Sequence, residues 1–248
     1  TDVFVQNLAP GATGRLALSA ATLRDAHPRL VVCEISGYGS SGPYRDRKAY
    51  DLLVQAEAGL LSITGTAEEP VKVGISVADI AAGMYAYSGI LTALLMRHRT
   101  GEGTVLEGSM LEALGEWMAF PFYYGTYGGT PPKRSGARHA VIAPYGPFAG
   151  GDGDVVYLGV QNEREWQVFC EQVLGRPELA DDPRFASNAA RVEHQPALDV
   201  EVEQVFGRLT TPEILERLET ARIASARLRT VQQFADHPQL EARDRWHE

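Results

Sequence analysis

The sequence predicts an α/β protein: a Rossmann-like parallel-sheet large domain, present in part, followed by a smaller α+β domain. Three observations carry that expectation. Apolar, strand-like runs alternate with helical stretches in the first part of the chain, a pattern that parallel sheets require. A Gly-rich loop follows the second strand-like run, where open α/β sheets place ligand loops. Beyond a stretch rich in Gly and Pro the texture changes to a hairpin signal followed by helices.

In order, the reading begins with a strand over Asp2–Gln6, a short helix near Gly14–Leu18, a helix over Ala20–Ala26 closed by Pro28, and a strand over Leu30–Ile35. The loop GYGSSGPY, Gly37–Tyr44, comes next, and by breaker rules alone it is either a ligand loop or a plain turn cluster. Tyr50–Gly59 reads as a helix and Val71–Ile75 as extended chain. A long helix then runs from Val77 to about His98 and stops at Gly101 and Gly103, with Val77, Ile80, Ala81, Met84, Leu91, Leu94 and Leu95 as its core-facing stripe. Val105–Gly108 is extended and Met110–Tyr124 helical. Residues 1–124 form the large-domain part, 125–136 a linker, 137–236 the small domain, and 237–248 the start of a return linker. Within the small domain, Tyr145–Phe148 and Val155–Val160 flank the turn Gly150–Gly153, since Gly and Asp supply the positive φ of a tight hairpin. Helices are expected near Glu163–Leu174, Leu198–Arg208, Pro212–Ala221 and Thr230–Ala235.

At 248 residues and 44% hydrophobic composition the chain can bury a large core, removing roughly 70–75% of its unfolded surface from water. A net charge of −9 argues against nucleic acid or an anionic membrane as partner, because either calls for a basic patch. The two cysteines, Cys33 and Cys170, sit in apolar runs and offer no disulfide framework, so a reduced, cytoplasmic setting is expected. No stretch is read as reaching the ~18 apolar residues of a membrane span; the run Ile80–Met96 is broken by Gly83, Tyr85, Ser88 and Gly89 and reads as a buried helix. The chain opens on Thr1, without Met or a signal-like segment, and is read as a fragment or processed chain.

Asp79 has two compatible readings. Ser76-Val77-Ala78-Asp79 matches a capping box, and a carboxylate in a first helical turn gains ~0.3–1 kcal/mol from the helix dipole. The same field would keep the group ionised beside small residues, as covalent carboxylate catalysis needs. Arg45, Arg47 and Lys48 make a local basic cluster that is either solvated loop charge or a phosphate-binding set, and Asp51 and Glu57 lie nearby. None of the six histidines has metal-ligand spacing, so no metal is expected. GxSxG and Walker A signatures are missing, which removes the usual marks of serine hydrolases and nucleotide hydrolases, and GYGSSG (Gly37–Gly42) echoes the dinucleotide fingerprint only superficially.

The ordered motifs resemble the class III CoA-transferases, the CaiB/BaiF family. DVFVQNLAPGATGRLAL (Asp2–Leu18) looks like the family's first CoA segment, which implies contacts at Asn7, Leu8, Ala9 and Arg15. GYGSSGPYRDRKAYD (Gly37–Asp51) resembles the next, implying Arg47, Lys48, Ala49 and Tyr50 at the CoA diphosphate and pantetheine. VGISVADIAAGMYA (Val73–Ala86) resembles the segment whose nucleophilic carboxylate falls on Asp79. RHRTGEG (Arg97–Gly103), PYGPFAGGDG (Pro144–Gly153), DDPRFASNAAR (Asp181–Arg191) and FADHPQLEAR (Phe234–Arg243) continue the match along essentially the whole chain.

The resemblance implies CoA transfer from an acyl-CoA to a carboxylic acid through a covalent aspartyl intermediate, with coenzyme A as substrate and no permanently bound cofactor. It implies an interlocked homodimer, and a family pattern that extends past both ends of this sequence. Racemases of the superfamily carry His-Asp where this chain has Tyr50-Asp51; without that base, transfer is favoured over racemisation. An acyl-CoA racemase or isomerase and a non-catalytic CoA-binding protein are the alternatives. VGISVADIAAGMYAY (Val73–Tyr87) and RSGARHAVIAPYGPF (Arg134–Phe148) are most similar to members acting on short dicarboxylates, and the second makes Arg138 and His139, with Arg134, candidates for the distal carboxylate, or else solvent-facing loop charge.

Overall fold

The computed structural model describes residues 1–246 of the chain and divides into two units, Thr1–Gly136 and the segment from Ala137 onward. His247 and Glu248, the end of the expected return linker, lie outside the described residues.

In the first unit the strands β1 (Val3–Gln6), β2 (Val31–Ser36) and β3 (Val105–Ser109) form one parallel sheet in the order β1-β2-β3, with Val3 opposite Val31 and Val32 opposite Val105. β2 is central, and its Val31, Val32 and Cys33 are buried, as a parallel strand covered on both faces demands. The helices are α1 (Ala12–Arg15), α2 (Ala20–Ala26), α3 (Asp51–Glu57), α4 (Val77–Thr100), α5 (Met110–Trp117) and α6 (Ala119–Gly128). α1 lies earlier than its sequence suggested, because Ala17 takes a left-handed φ of 56° that ends the helix. Ser19 Oγ accepts the Thr22 N–H to start α2, and Gly101 at φ 82° stops α4. α6 runs to Gly128, inside the segment read as linker; Tyr123 and Tyr127 stack one turn apart along it, 5.8 Å between ring centres.

Further expectations fail in this unit. Val71–Ile75 forms no strand; the chain makes only an isolated bridge, Gly65 to Pro70, and the Val73 N–H bonds to a side chain instead. α4 also departs from its expected stripe, of which Ala81 alone is buried and Val77 and Leu94 are half-buried. It buries Ala78, Ala81, Ala82, Ala86 and Ala93, while Ile80, Met84, Tyr87, Leu91 and Leu95 are exposed. Alanines let the helix approach the sheet and α5 closely, and an apolar residue on every side leaves the sequence without an asymmetry to read. By length and composition alone α4 could cross a bilayer, against the expectation that no stretch reaches that limit; its alanine face nevertheless packs on β2, β3, α3 and α5.

In the second unit β4 (Tyr145–Ala149), β5 (Val155–Gly159) and β6 (Ala224–Arg227) make an antiparallel sheet in that order. The hairpin turn closes with the Gly150 N–H on Asp154 O, and the Asp152 carboxylate accepts the Thr211 N–H at 2.7 Å. α7 (Glu163–Val168) passes into a π-helical turn, Phe169–Leu174, where one helix was expected. α8 (Asn188–Glu193), α9 (Gln195–Phe206), α10 (Thr211–Thr220), α11 (Val231–Ala235) and α12 (Pro238–Glu241) follow. The sheet and helices close on Phe148, Trp166, Phe169, Phe185, Phe206 and Leu218, all fully buried.

Candidate active site

Topology decides which residues can meet. Three parallel strands send their carboxyl ends to one edge, so the loop after β1, holding Asn7, Leu8 and Ala9, and the loop after β2, Gly37–Tyr50, leave the same side of the sheet from neighbouring strands. α4 runs back against that direction into β3. Its carboxyl end is pinned at the opposite edge, where Arg97 pairs with Asp2 at 2.9 Å and bonds Arg29 O, and the Gly103 N–H bonds Pro28 O. A 24-residue helix is ~36 Å long against ~17 Å for a five-residue strand, so its amino end, with Asp79, overshoots the edge where the loops emerge.

Within the first loop the Leu8 N–H bonds Gln6 Oε1 at 2.8 Å and the Ala12 N–H bonds Ala9 O at 3.0 Å, fixing the turn and leaving Asn7, Leu8, Ala9 and Arg15 exposed. In the second, the Gly39 N–H bonds Ser36 Oγ at 2.9 Å and the Ser40 N–H bonds Glu107 Oε1. Gly37 has no room for a side chain, because Ala49 Cβ occupies the place a Cβ would take. Arg47 lies over the Tyr44 ring at 3.6 Å and 4.0 Å from Glu57, so part of its charge is already engaged. Lys48 is exposed and has no ion-pair partner among the described residues; Tyr50 is 69% exposed.

The capping box expected at Ser76 does not form: Ser76 makes no side-chain cap. Asp51, the first residue of α3, supplies the cap instead, its Oδ1 accepting the Ala78 N–H at 2.8 Å. Its Oδ2 accepts from Gln55 Nε2 at 2.6 Å, and Gln55 Oε1 accepts the Val73 N–H at 3.0 Å. Asp51 therefore orders the helix start. The Asp79 carboxylate is exposed and has no hydrogen-bond or ion-pair partner among the described residues. Against the helix field, which favours the ionised form, two influences act on Asp79. Partial removal of water around the carboxyl pushes its pKa up from the ordinary aspartate value, and the negative charge of Asp51 adds to the rise. A carboxylate released from capping, and slightly destabilised as an anion, is a better nucleophile than one tied into the helix.

The remaining candidates are engaged within their own units. Arg134 in the first unit donates to Thr66 O at 2.7 Å and Ala67 O at 2.8 Å. In the second, Arg138 pairs with Asp199 at 3.1 Å and covers the Phe148 ring; the His139 ring stacks on Tyr145 at 5.1 Å and its Nδ1 accepts the Val141 N–H. Asn188 holds the segment after His139 through Val141 O and the Ala143 N–H, and buried Arg191 bonds Ala143 O, Phe185 O and Glu163. The sequence reading missed Gln55 and Arg191. The i, i+4 spacing of Asp51 and Gln55 was the one available signal for the former.

A parallel-sheet unit with loops converging at its carboxyl edge, a lone carboxylate at a helix start, and a separate antiparallel-sheet unit define a two-part α/β and α+β protein. The model of CoA-transferase family III matches residues 1–248, and the chain belongs to that family. It is 34% identical over 247 residues to the succinate–glutarate CoA-transferase of Agrobacterium fabrum, covering 98% of this chain and 60% of that protein. It is 32% identical over 245 residues to the acetyl-CoA:oxalate CoA-transferase of Acetobacter aceti, covering 98% and 62%. A crystal structure of a CaiB/BaiF family protein from Brucella suis superposes with a TM-score of 0.85 at 32% identity, over 98% of this chain and 64% of that one. The chain thus spans less than two thirds of the length of these relatives.

Proposed function

We propose that the protein carrying this chain is a CoA-transferase that uses Asp79 as nucleophile. The observation that carries the reading is the Asp79 carboxylate at the amino end of α4, without a hydrogen-bond or ion-pair partner among the described residues, while Asp51 supplies the cap. Its carboxylate oxygen attacks the thioester carbon of a donor acyl-CoA, the C–S bond breaks, and CoA thiolate leaves a mixed anhydride. The thiolate then attacks the aspartyl carbonyl and releases the donor acid as carboxylate, giving an aspartyl-CoA thioester. An acceptor carboxylate repeats these two steps in reverse and leaves with the CoA, restoring the Asp79 carboxylate. Covalent storage splits a difficult exchange into easier steps.

Asn7, Leu8, Ala9, Arg15, Arg47, Lys48, Ala49 and Tyr50 are the residues we assign to CoA; of the two cations in the second loop, Lys48 is the more open to a phosphate, since Arg47 is shared with Tyr44 and Glu57. We read the substrates as short dicarboxylates, on the strength of relatives named for succinate, glutarate and oxalate, and retain Arg138 and His139 for a distal carboxylate. The family resemblance supports an interlocked homodimer, which would cover the apolar outer face of α4, and two buried free cysteines accord with a reduced, cytoplasmic setting. The test incubates the full-length enzyme with succinyl-CoA and glutarate in deuterated water. CoA moving between the acids without loss to hydrolysis is the expected result; α-deuteration with no transfer would make it an isomerase.

A further inference from the structure

Gln55 is a carboxamide with 0% of its surface exposed, on the same helix as the half-buried Asp51. Burying such a group costs free energy unless each half finds a partner, and here each half does. Its orientation is fixed by chemistry: an ionised carboxylate can only accept and a backbone N–H can only donate, so Nε2 must face Asp51 and Oε1 must face Val73. With the Asp51 to Ala78 bond, a continuous clamp runs Val73 N–H, Gln55, Asp51, Ala78 N–H. It grips both ends of the segment that leads into Asp79. No side chain of that segment supplies the cap itself.

We infer that Gln55 is a positioning residue for Asp79, acting through Asp51: it locks the Asp51 carboxylate in the orientation that caps α4 at Ala78, the residue next to Asp79. This rests on Asp79 being the nucleophile, but the clamp can be measured without turnover. The elements packed on α4 carry other acids, Glu34 of β2, Glu57 of α3, Glu107 of β3, and Glu112 and Glu116 of α5; among them and Asp51, only the Asp51 charge acts appreciably on Asp79.

The experiment uses the full-length protein with Gln55→Leu and Gln55→Glu. Two quantities are followed: the titration of the Asp79 carboxyl by carbon NMR, assigned with Asp79→Asn, and the pH dependence of hydroxylamine-trapped adduct formation from acyl-CoA. With Gln55→Leu, Asp51 turns away, the Asp79 midpoint falls toward that of a free aspartate, and adduct formation slows about 10- to 100-fold, as a small misplacement of a reacting group does. The loss falls on kcat rather than on KM for acyl-CoA. Gln55→Glu keeps the acceptor for Val73 and donates to Asp51 only while protonated, so its rate approaches wild type at acid pH and falls as that carboxyl ionises. Should Gln55→Leu fail to fold, Gln55→Glu decides alone. A Gln55→Glu profile superimposable on wild type, or an Asp79 midpoint unmoved in the variants that fold, overturns the assignment. Absence of any wild-type adduct at Asp79, with the midpoint still responding to Gln55, would instead sink the nucleophile reading and leave the clamp standing.

Discussion

Among the described residues, Gln55 in the first unit and Arg191 in the second are polar side chains with no exposed surface, and they differ in what surrounds them. In the second, Arg191 sits inside an aromatic core, its guanidinium over Trp166 and bonded to Ala143 O, Phe185 O and Glu163. In the first, Gln55 lies beside a thin core of Val54, Met110, Leu114 and the alanines of α4. The difference separates stability from geometry. A buried cation within a large core holds a fold together, whereas a carboxamide at a helix start beside a small core holds one segment in place.

The comparison can be broken at either end. Arg191→Ala should have the largest effect on stability, about 3 kcal/mol or more in denaturant unfolding, because it leaves two buried carbonyls unpaired and opens a cavity. The ion pair itself adds little of this, since Glu163 is half exposed and its pairing is screened. Arg191 holds the Glu163 carboxyl below its ordinary value, so that pair's share is present above the unfolded pKa, ~4.3, and is lost as pH falls through the folded value. A wild-type unfolding curve for Arg191→Ala would show that the core does not depend on it. The Gln55 variants come next: the rate loss should exceed any loss of stability, and the reverse order would erase the contrast between units.

The smallest effect, with the most telling sign, belongs to Asp79→Asn. The folded pKa of Asp79 lies above its unfolded value, so the folded protein binds more protons between the two and stability falls as pH rises through that window. Asp79→Asn should therefore melt slightly higher than wild type at neutral pH, with the gain vanishing below the unfolded value of ~3.9. A lower melting temperature at neutral pH would mean that Asp79 stabilises the helix after all.

How much was legible follows the same division. Alternating strand-like and helical runs place β1, β2 and β3 in a parallel sheet, and Gly101 marks the end of α4, because backbone preference and breakers act locally. The inward face of α4 was not legible, since its large apolar residues occupy the side that the alanines leave outside. β6, with the sequence Ala224-Ser225-Ala226-Arg227, lacks β-branched or aromatic residues; pairing with β5 makes it a strand. At the site, family motifs point to Asp79 and the two CoA loops, but local rules assign the cap to Ser76. The true cap comes from Asp51, 27 residues earlier, through a contact that no local rule contains.

The central claim is that Asp79, freed from capping, takes the acyl-CoA covalently. Its most direct measurement is mass spectrometry of the full-length protein after brief exposure to acyl-CoA and hydroxylamine, with the modified peptide sequenced. The account predicts a hydroxamate on the Val73–Ala86 segment at Asp79, absent in Asp79→Asn. Turnover with that carboxyl unmodified, or an undiminished adduct in Asp79→Asn, would contradict it.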